Sequence, residues 1–245
     1  MAKFAKKYRR IVRQQVHGVR EAISEAAPPW ARRLFGPVVH NADMLFVDHG
    51  VFRLAYQNRY KLADGAWRSA QPAPHQVSQL ARMGIRTIIN LRGARYCGSY
   101  WLERQACARN GIHLEDFQIR SRAAPSKAEI FAARDLFQRI EYPMLMHCKS
   151  GADRAGLMSA LYLIVRENLP VEKARAQLSL KYGHVRQAGT GILDHFFERY
   201  LQDNARAPIP FFEWVARVYD PIEVGHSFSA KRWANVLVDG VLRRE

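Results

Sequence analysis

Few cysteines, no long apolar run and a shortage of acids set the first limits on this 245-residue chain. Its three cysteines, Cys97, Cys107 and Cys148, are too few and too odd in number for a disulfide scaffold. A reducing cytoplasm is therefore the expected home, where a thiol is available as a nucleophile. The longest apolar stretch, 155–165, falls far short of the ~20 residues that a membrane-spanning helix needs. No apolar stretch follows the N-terminal basic residues, which argues against a cleavable signal. Repeats and low-complexity segments are also missing. Acids number 22 against 38 Lys+Arg, a formal net charge of +16, while the 48% of hydrophobic residues suffices for a buried core.

Part of the charge excess is local, since residues 1–20 carry seven basic side chains and no acid. Phe4, Tyr8, Ile11, Val12, Val16, Val19 and Ile23 recur at helical spacing, so the segment reads as a basic amphipathic helix. Two readings stand: a helix that docks its apolar stripe on the domain, or one that attaches peripherally to an anionic membrane surface. No motif for specific nucleic-acid binding accompanies the charge. Pro28-Pro29 and Gly36-Pro37 then break the chain. The expected organisation is a basic helix and connector over 1–40, a catalytic domain over 41–205 and a helical C-terminal extension over 206–245.

Strands are expected at 67–70, 85–91, 112–119 and 143–147. Helices are expected at 74–83, 100–110, 126–141, 155–168, 171–182, 191–202, 211–219 and 229–243. Strands alternating with helices imply an α/β fold with a mostly parallel sheet. Within it, the compact apolar strand 143–147 runs into Cys148-Lys149-Ser150-Gly151-Ala152-Asp153-Arg154, and an apolar helix follows at once. In such a strand–loop–helix turn the loop amides converge and the helix N-terminus adds partial positive charge, which makes an oxyanion cradle that favours a thiolate. An arginine there can bind two phosphoryl oxygens together. Gly151 permits a backbone geometry and a close approach that a side chain would block.

The run His147-Cys148-Lys149-Ser150-Gly151-Ala152-Asp153-Arg154-Ala155-Gly156 resembles the signature loop of cysteine-dependent protein tyrosine and dual-specificity phosphatases. Trp67-Arg68-Ser69-Ala70-Gln71-Pro72 and Ile89-Asn90-Leu91-Arg92 resemble segments of the bacterial and atypical dual-specificity members. The resemblance spans about residues 60–200. It implies a four- or five-stranded sheet, no metal or other cofactor, and a phosphocysteine intermediate hydrolysed by water. It makes Cys148 the nucleophile and Arg154 the phosphate-binding and transition-state residue, with the backbone of Lys149, Ser150, Gly151, Ala152 and Asp153 as the cradle.

Two positions depart from the family pattern. Ala155 stands where a Ser or Thr hydroxyl usually helps the thiolate leave. The loop Arg120-Ser121-Arg122-Ala123-Ala124-Pro125, where the family commonly keeps its acidic proton donor, holds no carboxylate. Asp153 is the expected substitute, with Asp116 as the alternative. Arg120, Arg122 and Lys149 would give the site a basic rim, suited to a phosphorylated lipid, sugar or inositol as much as to a phosphoprotein. The rival readings are a phosphate-binding pseudophosphatase that recognises a phosphorylated partner, and sulfur transfer or arsenate reduction.

Overall fold

The computed structural model describes residues 56–229, so the segment 1–40 and nearly all of the helix expected over 229–243 lie outside the described residues. The described chain opens with a hairpin. Strands β1 (Tyr60–Ala63) and β2 (Ala66–Ala70) pair antiparallel around Asp64-Gly65, with Ala63 opposite Ala66. An Asp-Gly pair joining two extended runs is a strong hairpin signal, and here Gly65 supplies the left-handed conformation of the turn, at φ 75°. β1 was not among the expected strands: it is short and only half-buried, so it shows no apolar alternation.

Helix α1 (Pro74–Arg82), β3 (Thr87–Asn90), α2 (Gly98–Arg109), β4 (His113–Asp116), α3 (Lys127–Arg139), β5 (Met144–Cys148) and α4 (Asp153–Arg166) follow. The sheet has five strands in the order β1-β2-β5-β3-β4, and every pair except β1–β2 is parallel. β5 lies at its centre and is buried throughout. Its side chains alternate between faces, as a period of two demands. Met144, Met146 and Cys148 enter the larger core beneath α3 and α4, whereas Leu145 packs with Val77, Leu80 and Ile88 under α1 and α2.

Two local devices fix the helices that flank β5. Ser126 Oγ accepts the Glu129 N–H (3.2 Å) and Glu129 Oε2 accepts the Ser126 N–H (2.7 Å), the reciprocal capping box that starts α3. In α4 every residue from Ala155 to Leu163 is buried, so this helix is apolar all round and belongs to the interior.

The helix expected over 171–182 is not continuous. It shrinks to α5 (Val171–Ala174), followed by 3-10 turns at Arg175–Gln177 and Leu180–Tyr182. Tertiary partners take the carbonyls a continuing helix would need: Arg68 Nη1 donates to Gln177 O (2.8 Å) and Asn58 Nδ2 to Tyr182 O (2.9 Å). Helices α6 (Ile192–Arg206) and α7 (Phe211–Arg217) come next. Residues 221–229 form a further helix, α8, earlier than the periodicity suggests. Asp220 Oδ1 caps it by accepting the Ile222 N–H (2.7 Å), and Pro221 occupies its first position. Phe211, Trp214, Val215 and Tyr219 share one buried core with Met146 and Leu161, so the described residues beyond 206 pack into the same interior as the sheet.

Candidate active site

Parallel β2, β5, β3 and β4 end on one edge, and the loops leaving that edge carry the residues singled out from the sequence. Cys148 closes β5 with only 2% of its surface exposed, paired in register with Ala70. Gly151 sits at φ 74°. A Cβ placed on it would lie 2.6 Å from the Ala70 amide nitrogen and 2.7 Å from the Ser69 carbonyl carbon, so the loop folds against β2 only with glycine there.

Side chains far away in sequence fix the loop's carbonyls. Asn58 Nδ2 donates to Ser150 O (2.8 Å), and Arg68 Nη2 donates to Gly151 O (2.6 Å) and Ala152 O (3.1 Å). The N–H of a trans peptide points opposite its carbonyl. Holding the carbonyls of 150, 151 and 152 on one side therefore turns the N–H groups of 151, 152 and 153 to the other. Among the described residues the N–H groups of Ser150, Gly151 and Ala152 donate to no protein acceptor. Those of Asp153 and Arg154 open α4, where amides have no intrahelical partner. The result is a concentration of unsatisfied amides at a helix N-terminus, suited to an oxyanion.

Arg68 is fully buried, an unusual place for a guanidinium. Besides the loop it meets Gln177 through the backbone carbonyl and Oε1 (2.8 Å each), and its Cζ lies 4.0 Å from the centre of the Tyr182 ring. Burial lowers its pKa to about 10, against the opposing pull of Tyr182, Cys148 and Tyr60, and it stays cationic at neutral pH. The sequence alone assigns Arg68 no role. A charged residue inside an otherwise apolar strand was the available signal.

The predicted residues divide in the structure. Arg154, half-buried at the start of α4, lines an open pocket of about 640 Å³ together with Arg92, Arg95, Arg120 and Arg122. Burial lowers the pKa of Arg154, Cys148 opposes this, and the charges of Arg92 and Arg95 lower it further, so these groups feel one another. Lys149 belongs to the loop but does not line this pocket. The sequence alone assigns Arg92 and Arg95 no role.

Neither Asp153 nor Asp116 lines the pocket. Asp153 Oδ1 lies 2.7 Å from His184 Nδ1, and His184 Nε2 lies 2.6 Å from Asp194 Oδ2. Burial would push the His184 pKa down, but the hydrogen bonds to Asp153 and Asp194 and their charges outweigh it and raise the pKa to about 9. His184 is thus an imidazolium at neutral pH, donating from both ring nitrogens to two carboxylate acceptors. Asp116, at the end of β4, accepts from Asn90 Nδ2 (2.7 Å) and from the Tyr100 hydroxyl (2.5 Å).

Next to Cys148 on β5, His147 Nε2 lies 2.7 Å from Glu103 Oε1, both side chains being fully buried. Gln71 Nε2 donates to Glu103 Oε2 (2.7 Å), and Arg92 Nη1 donates to Gln71 Oε1. A polar chain therefore runs from the strand beside Cys148 to the pocket wall. Cys107 lies in the smaller core, where burial first, then the charges of Glu103 and Asp116, push its thiol up to about 12. It is a packing residue. Among the described residues no cluster of His, Cys, Asp and Glu could hold a metal ion, and no helix is long and apolar enough to cross a membrane.

Residues 66–186 match the family model described as PTP-SAK, Swiss Army Knife protein, DSP-PTPase phosphatase domain. The dual specificity protein phosphatase TpbA of two Pseudomonas aeruginosa strains is 28% identical over 110 residues, 44% of this chain and 47% of theirs. The chain thus spans about half the length of the curated relatives it matches. The crystal structure of P. aeruginosa TpbA is 21% identical with a TM-score of 0.49, over 58% of this chain and 84% of that one. TpbA in complex with pTyr gives 20% and 0.44, over 70% and 90% of the two chains. PTPMT1 gives 18% and 0.43, over 60% and 99%.

Proposed function

We propose that this chain, whose residues 66–186 match the family model of a DSP-PTPase phosphatase domain, hydrolyses phosphate monoesters through a phosphocysteine on Cys148. What supports the reading is the loop itself, in which amides of 150–154 without a protein acceptor follow directly on Cys148, with Arg154 at the helix start. The Cys148 thiolate attacks phosphorus, a sulfur–phosphorus bond forms and the ester oxygen leaves, taking up a proton. Water then attacks the same phosphorus, the sulfur–phosphorus bond breaks and inorganic phosphate departs. Arg154 and the amides hold the equatorial oxygens through both steps, matching the charge that develops there. Ala155 offers no hydroxyl to the departing sulfur, so the second step is the slower one.

Asp153 was the first candidate for the proton donor. Its contact with a cationic His184 makes it a hydrogen-bond acceptor, so it supports α4 and Arg154 better than it supplies a proton. Asp116, exposed at the same sheet edge, is the other carboxylate candidate, and it too accepts hydrogen bonds, from Asn90 and the Tyr100 hydroxyl. The substrate stands as a phosphoprotein or a phosphorylated lipid, sugar or inositol. Peripheral contact of the basic residues 1–20 with an anionic membrane is a compatible proposal.

The test is hydrolysis of a small aryl phosphate in EDTA by the wild type beside Cys148→Ser, Arg154→Ala, Asp153→Asn and Asp116→Asn. Activity in EDTA that falls to background in Cys148→Ser, with a phosphoenzyme trapped only in the wild type, supports the mechanism. Loss of roughly 10²–10³ in kcat is expected for Arg154→Ala, the scale of removing one preorganised charge-stabilising donor. The absence of a carboxylate among the described residues of the pocket wall favours a second reading, a phosphate-binding pseudophosphatase. Binding of phosphorylated ligands with no hydrolysis and no trapped phosphoenzyme would establish it.

A further inference from the structure

Resting on the Cys148 reading, we propose that His184 is a positioning residue for the reaction: by donating to Asp153 and Asp194 together it fixes the first turn of α4, and with it Arg154, and turnover falls when it gives up a proton. Its ring is 1% exposed and stands between two helices, with Asp153 Oδ1 of α4 2.7 Å from Nδ1 and Asp194 Oδ2 of α6 2.6 Å from Nε2. Asp153 opens α4, and Arg154 follows it directly. The backbone of His184 is tied as well, since its N–H donates to Ser179 O (3.1 Å).

The segment that carries His184 meets the loop after β5 at several points. Asn58 Nδ2 donates both to Ser150 O and to Tyr182 O. The Tyr182 ring packs against the same Arg68 guanidinium that holds Gly151 O and Ala152 O. Gly183, at φ 79°, turns the chain so close that a Cβ on it would lie 3.9 Å from Ala152 Cβ. Residues 182–184 thus brace the loop from 150 to 153, and His184 makes the contact at 153.

This brace depends on a proton. An imidazolium donates from both nitrogens, whereas a neutral imidazole has one N–H and one lone pair, and the lone pair would then face a carboxylate. Burial pulls the His184 pKa down, but the hydrogen bonds and charges of Asp153 and Asp194, the charged groups that face the ring, raise it to about 9. Of the two carboxylates Asp153 is the more exposed, 27% against 14%, so it loses less by turning to water, and its bond is the one that opens. Loss of the proton therefore releases the first turn of α4 and leaves a second uncompensated carboxylate at a cradle that has to bind a phosphate dianion. Both effects lower kcat/KM. Arg68, whose pKa burial lowers to about 10, answers to Tyr182, Cys148 and Tyr60 rather than to these carboxylates.

Turnover of para-nitrophenyl phosphate by the full chain is followed from pH 6 to pH 10 for the wild type, Asp194→Asn and His184→Gln. Binding of phenyl phosphate is measured by calorimetry over the same range on the chain carrying Cys148→Ser, alone and with Asp194→Asn. Tryptophan fluorescence at each pH restricts the comparison to folded protein. Wild-type kcat/KM, which reports the free enzyme, should fall roughly tenfold between pH 8 and pH 10, the scale of one charge-assisted hydrogen bond. Asp194→Asn removes one of the two carboxylates and should move that fall toward neutrality by about one pH unit or more, although residue 194 lies outside the pocket lining. His184→Gln, which carries no charge at any pH, should start roughly tenfold lower and show no such fall. Phenyl phosphate affinity should follow the same pattern. A wild-type profile flat to pH 10, a fall that Asp194→Asn leaves in place, or one that persists in His184→Gln would overturn the positioning role. If the wild type hydrolyses nothing at any pH, the Cys148 reading fails, and the binding profiles still decide on His184.

Discussion

Replacing His184 tests the electrostatics behind the cradle most directly. Its ring, 1% exposed, bridges Asp153 at the start of α4 to Asp194 on α6. The pKa rises from 6.5 to about 9 because the two carboxylates, by hydrogen bond and by charge, outweigh the opposing effect of burial. At 1.36 kcal/mol per pKa unit that shift is worth roughly 3 kcal/mol. A group whose folded pKa lies above its unfolded one binds more protons when folded. Its contribution is therefore complete below about pH 6.5, declines by ~1.4 kcal/mol per pH unit above that, and is gone once pH passes the folded pKa near 9. Urea unfolding followed by tryptophan fluorescence, on the wild type and on His184→Gln from pH 6 to pH 10, isolates this group, because other titrations cancel in the difference. The wild type should lead the variant most at pH 6, and the lead should shrink by roughly 3 kcal/mol at pH 10. A difference that stays constant to within ~0.5 kcal/mol would show that His184 is neutral in the folded chain and refute the ion-pair account.

Three further substitutions probe the loop. Gly151→Ala places a Cβ 2.6 Å from the Ala70 amide nitrogen at a positive φ, so aryl phosphate turnover should fall by at least 10² and the melting temperature by several degrees. Arg68→Met removes the donor to Gly151 O and Ala152 O while roughly keeping volume; each buried carbonyl left bare costs ~1–3 kcal/mol, so thermal melting and kcat should fall together. Arg68→Met with wild-type kcat would show that the loop holds its shape without that anchor. Gly156→Ala sets a Cβ 2.8 Å from Gln177 O, forcing α4 away from the 175–177 turn; a loss of about 1–3 kcal/mol in denaturant unfolding is expected.

What was legible in the sequence follows from the range of the forces involved. The β5–loop–α4 unit reads plainly because strand, glycine and helix start are contiguous, and each constrains its neighbours within a few residues. The Ser126–Glu129 capping box is as local, and α3 begins where it predicts. The β1–β2 hairpin carried its signal in Asp64-Gly65, but half-burial left β1 without the alternation that marks a strand. The helix expected over 171–182 fails for a non-local reason. Its apolar spacing persists, while Arg68 and Asn58, more than a hundred residues upstream, claim the Gln177 and Tyr182 carbonyls.

The same division runs through the site. Cys148, the proposed nucleophile, and Arg154 belong to one turn of chain, whereas what shapes and supplies that turn comes from elsewhere: Asn58 and Arg68 for the carbonyls, His184 for Asp153, and the loops after β3 and β4 for the basic wall. A parallel sheet makes this arrangement natural, since its strands all deliver their loops to one edge. Chemistry can then stay with the loop after β5 while selectivity is set by side chains on neighbouring loops that share no sequence window with it. Asp153 shows the limit of reading such a residue by position alone. Next to Arg154 in sequence it looks like a proton donor, but its carboxylate faces a buried cation whose other partner lies on α6, and hydrogen-bond accounting makes it an acceptor. Asp116, two strands from β5 and exposed at the sheet edge, accepts from Asn90 and from the Tyr100 hydroxyl, so by the same criterion it is no better placed than Asp153, and substituting each in turn separates proton supply from loop support.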